Sequence, residues 1–72
     1  MLKSVGYAYA TSSHAKQFGR YKTGCYTVTT HKTVEDPGKA SGPFDSREEA
    51  FAYADTLDGD WWPFSMPREV PA

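Results

Sequence analysis

The stretch SREEAFAYADTL, residues 46–57, decides the fold because it carries both the start and the buried face of a helix. Ser46 is followed three residues later by Glu49, which is the capping-box spacing that satisfies free backbone N–H groups at a helix start. Small and apolar residues then recur at the spacing of one helical face, namely Ala50, Phe51, Ala54 and Leu57. Gly59 is a natural stop for the helix. The pattern predicts a helix over residues 46–57 that lies close to a sheet.

Two stretches before this helix have the composition of strands. Residues 24–34, GCYTVTTHKTV, are rich in β-branched and aromatic side chains. Within them, Tyr26 and Val28 are expected to face the core, while His31 is expected to face out. Residues 4–10 alternate large and small side chains, which is the period-two pattern of a strand with one buried face.

A third, short strand is predicted over residues 40–44. The Pro37-Gly38 pair before it favours a tight turn, because proline presets φ and glycine accepts a positive φ. Pro43 cannot donate a ladder hydrogen bond, so this strand is expected at a sheet edge. The order of elements predicts an α+β fold: a three-stranded antiparallel sheet with one C-terminal helix packed on one face, followed by an irregular aromatic tail.

The polar, basic segment of residues 11–23 carries the first group of candidate partner-binding residues. It contains either a short helical turn over residues 14–18, capped by serine and ended by Gly19, or a flexible loop. Cations that alternate with rings suit phosphate contacts and base stacking. The residues of this group, called the basic loop below, are Lys16, Phe18, Arg20, Tyr21 and Lys22.

The second candidate group lies in the tail. A single domain is predicted over residues 1–60, and residues 61–72 form a Trp/Pro-rich tail whose three prolines disfavour regular structure. Trp61, Trp62 and Phe64 belong to the aromatic residue types that anchor protein interfaces. Covering a thin core is the alternative role for the same rings. Trp61 is expected to pack against the helix end and Trp62 to stay exposed.

The charges divide between the two halves of the chain. Residues 1–34 carry five cations and no acid, whereas residues 35–72 carry nine acids and three cations, so a charge of +5 faces a charge of −6. Such a division indicates two surfaces with different tasks. The alternative is that strands and helix differ in composition and neutralise each other when folded.

Several classes of function are disfavoured by what the 72 residues contain. Cys25 is the only cysteine, which precludes an internal disulfide and a thiolate metal site. Cys25 and His31 are about 20 Å apart along one predicted strand, so they cannot form a catalytic pair, although His14 remains open as a partner. We therefore expect no enzyme, no cofactor and no metal. The lack of a long apolar run or signal-peptide pattern predicts a cytoplasmic protein that does not bind membranes.

Residues 42–50 together with Tyr53, Ala54 and Leu57 resemble small sheet-then-helix proteins of bacteria and their phages, many of them without an assigned function. The resemblance covers residues 24–58, half of the chain. It implies a sheet-then-helix fold and a bacterial or phage setting, and it implies no site residues.

These patterns together predict a small, non-catalytic regulatory or inhibitory protein, with a phage origin as one expected setting. Its expected partner is a larger intracellular assembly, a protein or protein–nucleic-acid complex such as a transcription or defence complex. The alternative is a small protein that binds nucleic acid directly through its basic N-terminal half. The oligomeric state is left open.

Overall fold

The computed structural model describes residues 1–68, and the predicted tail residues 69–72 lie outside the described part. It contains four strands and two helices. In chain order these are β1 (Leu2–Ala8), α1 (Ser13–Gln17), β2 (Cys25–His31), β3 (Lys39–Phe44), α2 (Arg47–Asp55) and β4 (Asp60–Trp61). No helix within residues 1–68 has the length and apolar character needed to cross a membrane.

The strands form one sheet in the order β3-β2-β1-β4. β2 pairs antiparallel with both β1 and β3, whereas β4 runs parallel to β1. The predicted α+β class and the edge position of β3 are confirmed. The prediction of three strands was wrong by one, because the chain after α2 returns to the free edge of β1.

The longer helix, α2, forms where the capping pattern predicted it. The hydroxyl of Ser46 accepts a hydrogen bond from the N–H of Glu49 at 3.1 Å, and the Glu49 carboxylate accepts one from the N–H of Asp45 at 3.2 Å. The helix packs on one face of the sheet. The core between them consists of Val5, Val28, Ala50, Phe51 and Ala54.

A second helix, α1, covers part of the opposite face, so the prediction of a single helix was also wrong. Its N-cap is Ser12, whose hydroxyl accepts a hydrogen bond from the N–H of Ala15, and Gly19 follows with φ +72°. Of the two alternatives for this segment, the short helical turn is the one observed. Ala15 is fully buried in a small second cluster with Ala8 and Cys25.

The segment after α2 follows the edge of β1 beyond the two residues of β4. The N–H of Trp62 donates to the carbonyl of Lys3, and the N–H of Met66 donates to the carbonyl of Val5, both at 2.8 Å. The N–H of Val5 donates in turn to the hydroxyl of Ser65. The first part of the predicted irregular tail is therefore attached to the sheet.

Candidate partner-binding surface

The path of α2 leaves one corner of the sheet uncovered. The helix begins beside the end of β3. At its other end, the carbonyls of Ala54 and of Leu57, which follows the helix, accept hydrogen bonds from Lys3 at the start of β1. Nine residues of helix span about 14 Å, whereas the seven residues of β1 span about 23 Å. The end of β1 on the α2 side is therefore left without a helix over it.

Three tyrosines occupy this corner, and they are called the tyrosine row below: Tyr9, Tyr7 and Tyr26. Tyr7 and Tyr26 are direct partners in the β1–β2 register, and Tyr9 lies just beyond β1. The ring of Tyr7 stands nearly perpendicular to both neighbours, at 5.2 Å and 78° to Tyr9 and at 4.9 Å and 72° to Tyr26. Edge-to-face contacts of this kind stabilise aromatic clusters.

Two of the three rings of the row are exposed to solvent. Tyr9 is 72% exposed and Tyr7 is 39% exposed. Tyr26 is partly buried against the core cluster. The row therefore has a fixed inner end and a free outer end.

A cavity of about 500 Å³ lies beside the tyrosine row. Arg20 and Asp45 also line it, and their side chains form an ion pair at 2.7 Å in which the Asp45 side chain is 68% exposed. Cys25 lines it too, and burial raises the pKa of that thiol. The neutral thiol and the paired charges leave this cavity with no dominant charge.

Gly24 holds the wall of the cavity close to the row. It adopts φ +74°, and a Cβ atom there would lie 2.6 Å from the Tyr7 hydroxyl and 2.8 Å from the carbonyl of Ala8. The Tyr7 hydroxyl donates to the carbonyl of Thr23 at 3.3 Å. A larger residue at position 24 would therefore displace the Tyr7 ring.

The basic loop is split by the fold. Phe18 packs against the small cluster under α1. Arg20 reaches the cavity and Asp45, while Lys16 stays exposed on α1. Tyr21 is 53% exposed and lies 5.6 Å beneath the Lys22 ammonium. The fold therefore places Arg20 beside the tyrosine row, whereas Lys16 and Lys22 lie away from it.

The two tryptophans of the tail lie on opposite sides of the sheet edge. Trp61 is 40% exposed and packs on Phe51, in the middle of α2, at 5.7 Å, whereas the prediction placed it against the helix end. Trp62 is half-buried, so the prediction that it stays exposed was wrong. Its ring stacks on His31 at 4.5 Å and 14°, and its indole N–H donates to the carbonyl of Val34. Phe64 is 71% exposed, with its ring against that of Trp62.

His31 lies on the face away from α2, but the prediction that it faces out was wrong, because it is only 4% exposed. Its Nδ1 lies 2.8 Å from the carbonyl of Asp36, and because a carbonyl only accepts, Nδ1 carries the proton. Nε2 then accepts from the hydroxyl of Ser4 at 3.1 Å. Because Trp62 stacks on His31, the Ser4–His31 pair is shielded from solvent. The pair holds the tail in place through this stacking.

Asp36 also fixes the loop that covers His31. Its carboxylate accepts hydrogen bonds from the N–H groups of Lys32 and Gly38 at 2.7 and 3.1 Å. The bond from Lys32, followed by that from Gly38, lowers the pKa of Asp36 below its usual range. Within residues 1–68, no cluster of three histidine, cysteine or acidic side chains could hold a metal ion.

Sequence reasoning assigned Tyr26 to the core and missed the tyrosine row as a surface. The sequence carried one signal for an uncovered surface, which is the difference in length between the helix and the strands. A helix of about three turns is shorter than a strand of seven residues and cannot cover it from end to end. The order in which the strands lie, which decides where the helix crosses, is set by contacts that are distant in sequence.

No protein-family model, no curated protein and no solved structure matches this chain.

Proposed function

We propose that this chain is a small, non-catalytic regulatory or inhibitory protein that binds a larger protein assembly through the tyrosine row. The observation that carries the proposal is Tyr9, a large ring that is 72% exposed beside a cavity of about 500 Å³. Tyrosine is enriched at the hot spots of protein interfaces. Its ring loses little conformational entropy on binding, because it has only two side-chain torsions.

The rigidity of the row supports the same proposal. Tyr26 is held by the core and Tyr7 by its bond to the carbonyl of Thr23, so two of the three rings are in place before binding. Preorganised side chains lower the entropic cost of association. A stoichiometric binder this small depends on such a cluster, since its whole surface is limited.

Charge favours a protein over nucleic acid as the partner. Arg20 is the cation nearest the row, and Asp45 already pairs with it at 2.7 Å. A phosphate backbone would meet the Asp45 carboxylate, which is 68% exposed, at the same corner. A protein surface carries both signs and suits the Arg20–Asp45 pair better.

An affinity capture from bacterial extract tests the proposal, using the chain and two matched variants. Tyr9→Ala removes the outermost ring of the row. Phe64→Ala removes a ring of almost equal exposure, 71%, that lies on the tail. We expect a protein partner that the parent and Phe64→Ala retain after nuclease treatment and that Tyr9→Ala loses. Retention by Tyr9→Ala, or loss on nuclease treatment, would contradict the proposal.

A further inference from the structure

We propose that the tyrosine row and its cavity bind an extended, proline-rich segment of the partner that carries little net charge. This inference rests on the proposed function, because it names the chemistry of what binds there. Aromatic grooves are a recurring means of recognising polyproline II segments, which are already extended and therefore lose little entropy on binding.

The dimensions of the row fit one turn of such a segment. The two successive ring separations are 5.2 and 4.9 Å, so the three centroids span at most about 10 Å. One turn of polyproline II is roughly 9 Å long, at three residues per turn. Because neighbouring rings are nearly perpendicular, a ring face alternates with a ring edge along the row. Flat pyrrolidine rings can pack against such an uneven surface.

Hydrogen bonding points the same way. A polyproline II segment makes no internal hydrogen bonds, so its carbonyls are free to accept. The Tyr7 hydroxyl is used by the carbonyl of Thr23. Within residues 1–68, the hydroxyls of Tyr9 and Tyr26 make no hydrogen bond, which leaves two donors on the row for an extended backbone.

Charge complementarity selects an uncharged segment. Arg20 and Asp45 form their ion pair at the cavity, so the two charges offset each other and attract neither an acidic nor a basic ligand strongly. The neutral thiol of Cys25, whose pKa is raised by burial, adds no charge. A segment that is rich in proline and poor in charge leaves the Arg20–Asp45 pair intact.

A display library of random dodecapeptides, selected on the parent chain and counter-selected on Tyr9→Ala, tests the inference. We expect enrichment of peptides with several prolines and low net charge. Enrichment of acidic or basic peptides without proline, or no enrichment at all, would overturn it. Neither result would affect the proposed function, which fails if Tyr9→Ala still captures the partner or if nuclease treatment releases it.

Titration of one enriched synthetic peptide locates the site by backbone and tyrosine chemical shifts. The expected shifts are confined to the tyrosine row and the other residues that line its cavity. Tyr9→Ala should weaken binding about tenfold or more, whereas Phe64→Ala should change it less than about twofold. Equal affinity for Tyr9→Ala would overturn the inference. Saturable binding of oligothymidylate at the same tyrosines, or Tyr9-dependent dimerisation of the chain, would assign the row to another occupant.

Discussion

The core of this protein contains few branched aliphatic side chains and depends on one aromatic ring, Phe51. Within residues 1–68, Val5 and Val28 are the largest side chains that are fully buried, and Phe51 is the one large ring of the core cluster, at 4% exposure. The other members of the cluster are the two valines and two alanines, Ala50 and Ala54. Because these alanines cannot expand to fill a gap, the core depends strongly on the Phe51 ring.

Replacing Phe51 by alanine should therefore lower the free energy of unfolding by about 3–5 kcal/mol, which is the usual cost of removing a buried phenyl ring. Urea denaturation of the variant and the parent measures the difference. Glu48→Ala, on the exposed side of the same helix, is the control. A Phe51→Ala variant that unfolds at the same urea concentration as Glu48→Ala would disprove this packing.

The two tryptophans should differ in their access to solvent in the opposite order from the sequence prediction. Trp62 stacks on His31 and Trp61 is 40% exposed, so the Trp61→Phe variant should emit at shorter wavelength than the Trp62→Phe variant. Iodide should quench Trp62 less than Trp61. Equal quenching in the two variants would mean that Trp62 leaves His31 in solution.

Among the elements, the end of α2 and the start of β1 are joined by a buried lysine. The Lys3 side chain donates to the carbonyls of Ala54 and Leu57 at 3.1 and 3.0 Å, and its ammonium lies 4.8 Å from the centre of the Trp61 ring. A cation at this position also interacts favourably with the negative end of the helix dipole. Lys3 therefore caps α2 and holds it against the edge of the sheet that receives β4.

Lys3→Met should reduce stability by about 1–3 kcal/mol, because it keeps most of the apolar stem and leaves the carbonyls of Ala54 and Leu57 without their donor. Lys16→Met, on the exposed surface of α1, is the matched control and should have little effect. Thermal and urea unfolding of both variants measure the difference. A Lys3→Met variant as stable as Lys16→Met would show that the cap contributes nothing.

Elements that are set by local chemistry were predictable from the sequence. The Ser46 and Glu49 pair gave the start of α2, and the alternation in residues 4–10 gave most of β1. β4 has two residues, which are too few to show a strand-forming pattern. It forms because the edge of β1 is free. The stacking of Trp62 on His31 likewise joins residues 31 positions apart, which no local pattern indicates.

For the whole molecule, the division of charge along the chain does not become a simple division between two faces. Arg20 comes from the basic half and Asp45 from the acidic half, and they meet at the cavity beside the tyrosine row. Arg68 and Asp55 form a second ion pair, and the guanidinium lowers the pKa of the Asp55 carboxyl. The candidate site is therefore marked by exposed rings, and the basic loop contributes only Arg20 to it.

Site-specific cross-linking tests the central claim, that the tyrosine row is the surface that meets the partner. A photoreactive p-benzoylphenylalanine is incorporated at position 9 in one preparation and at position 64 in another, since both native rings are about equally exposed, at 72% and 71%. Each is irradiated in bacterial extract. Our account predicts a defined protein adduct from position 9, resistant to nuclease, and none of that mass from position 64. The same adduct from position 64, or a nuclease-sensitive adduct from position 9, would contradict it.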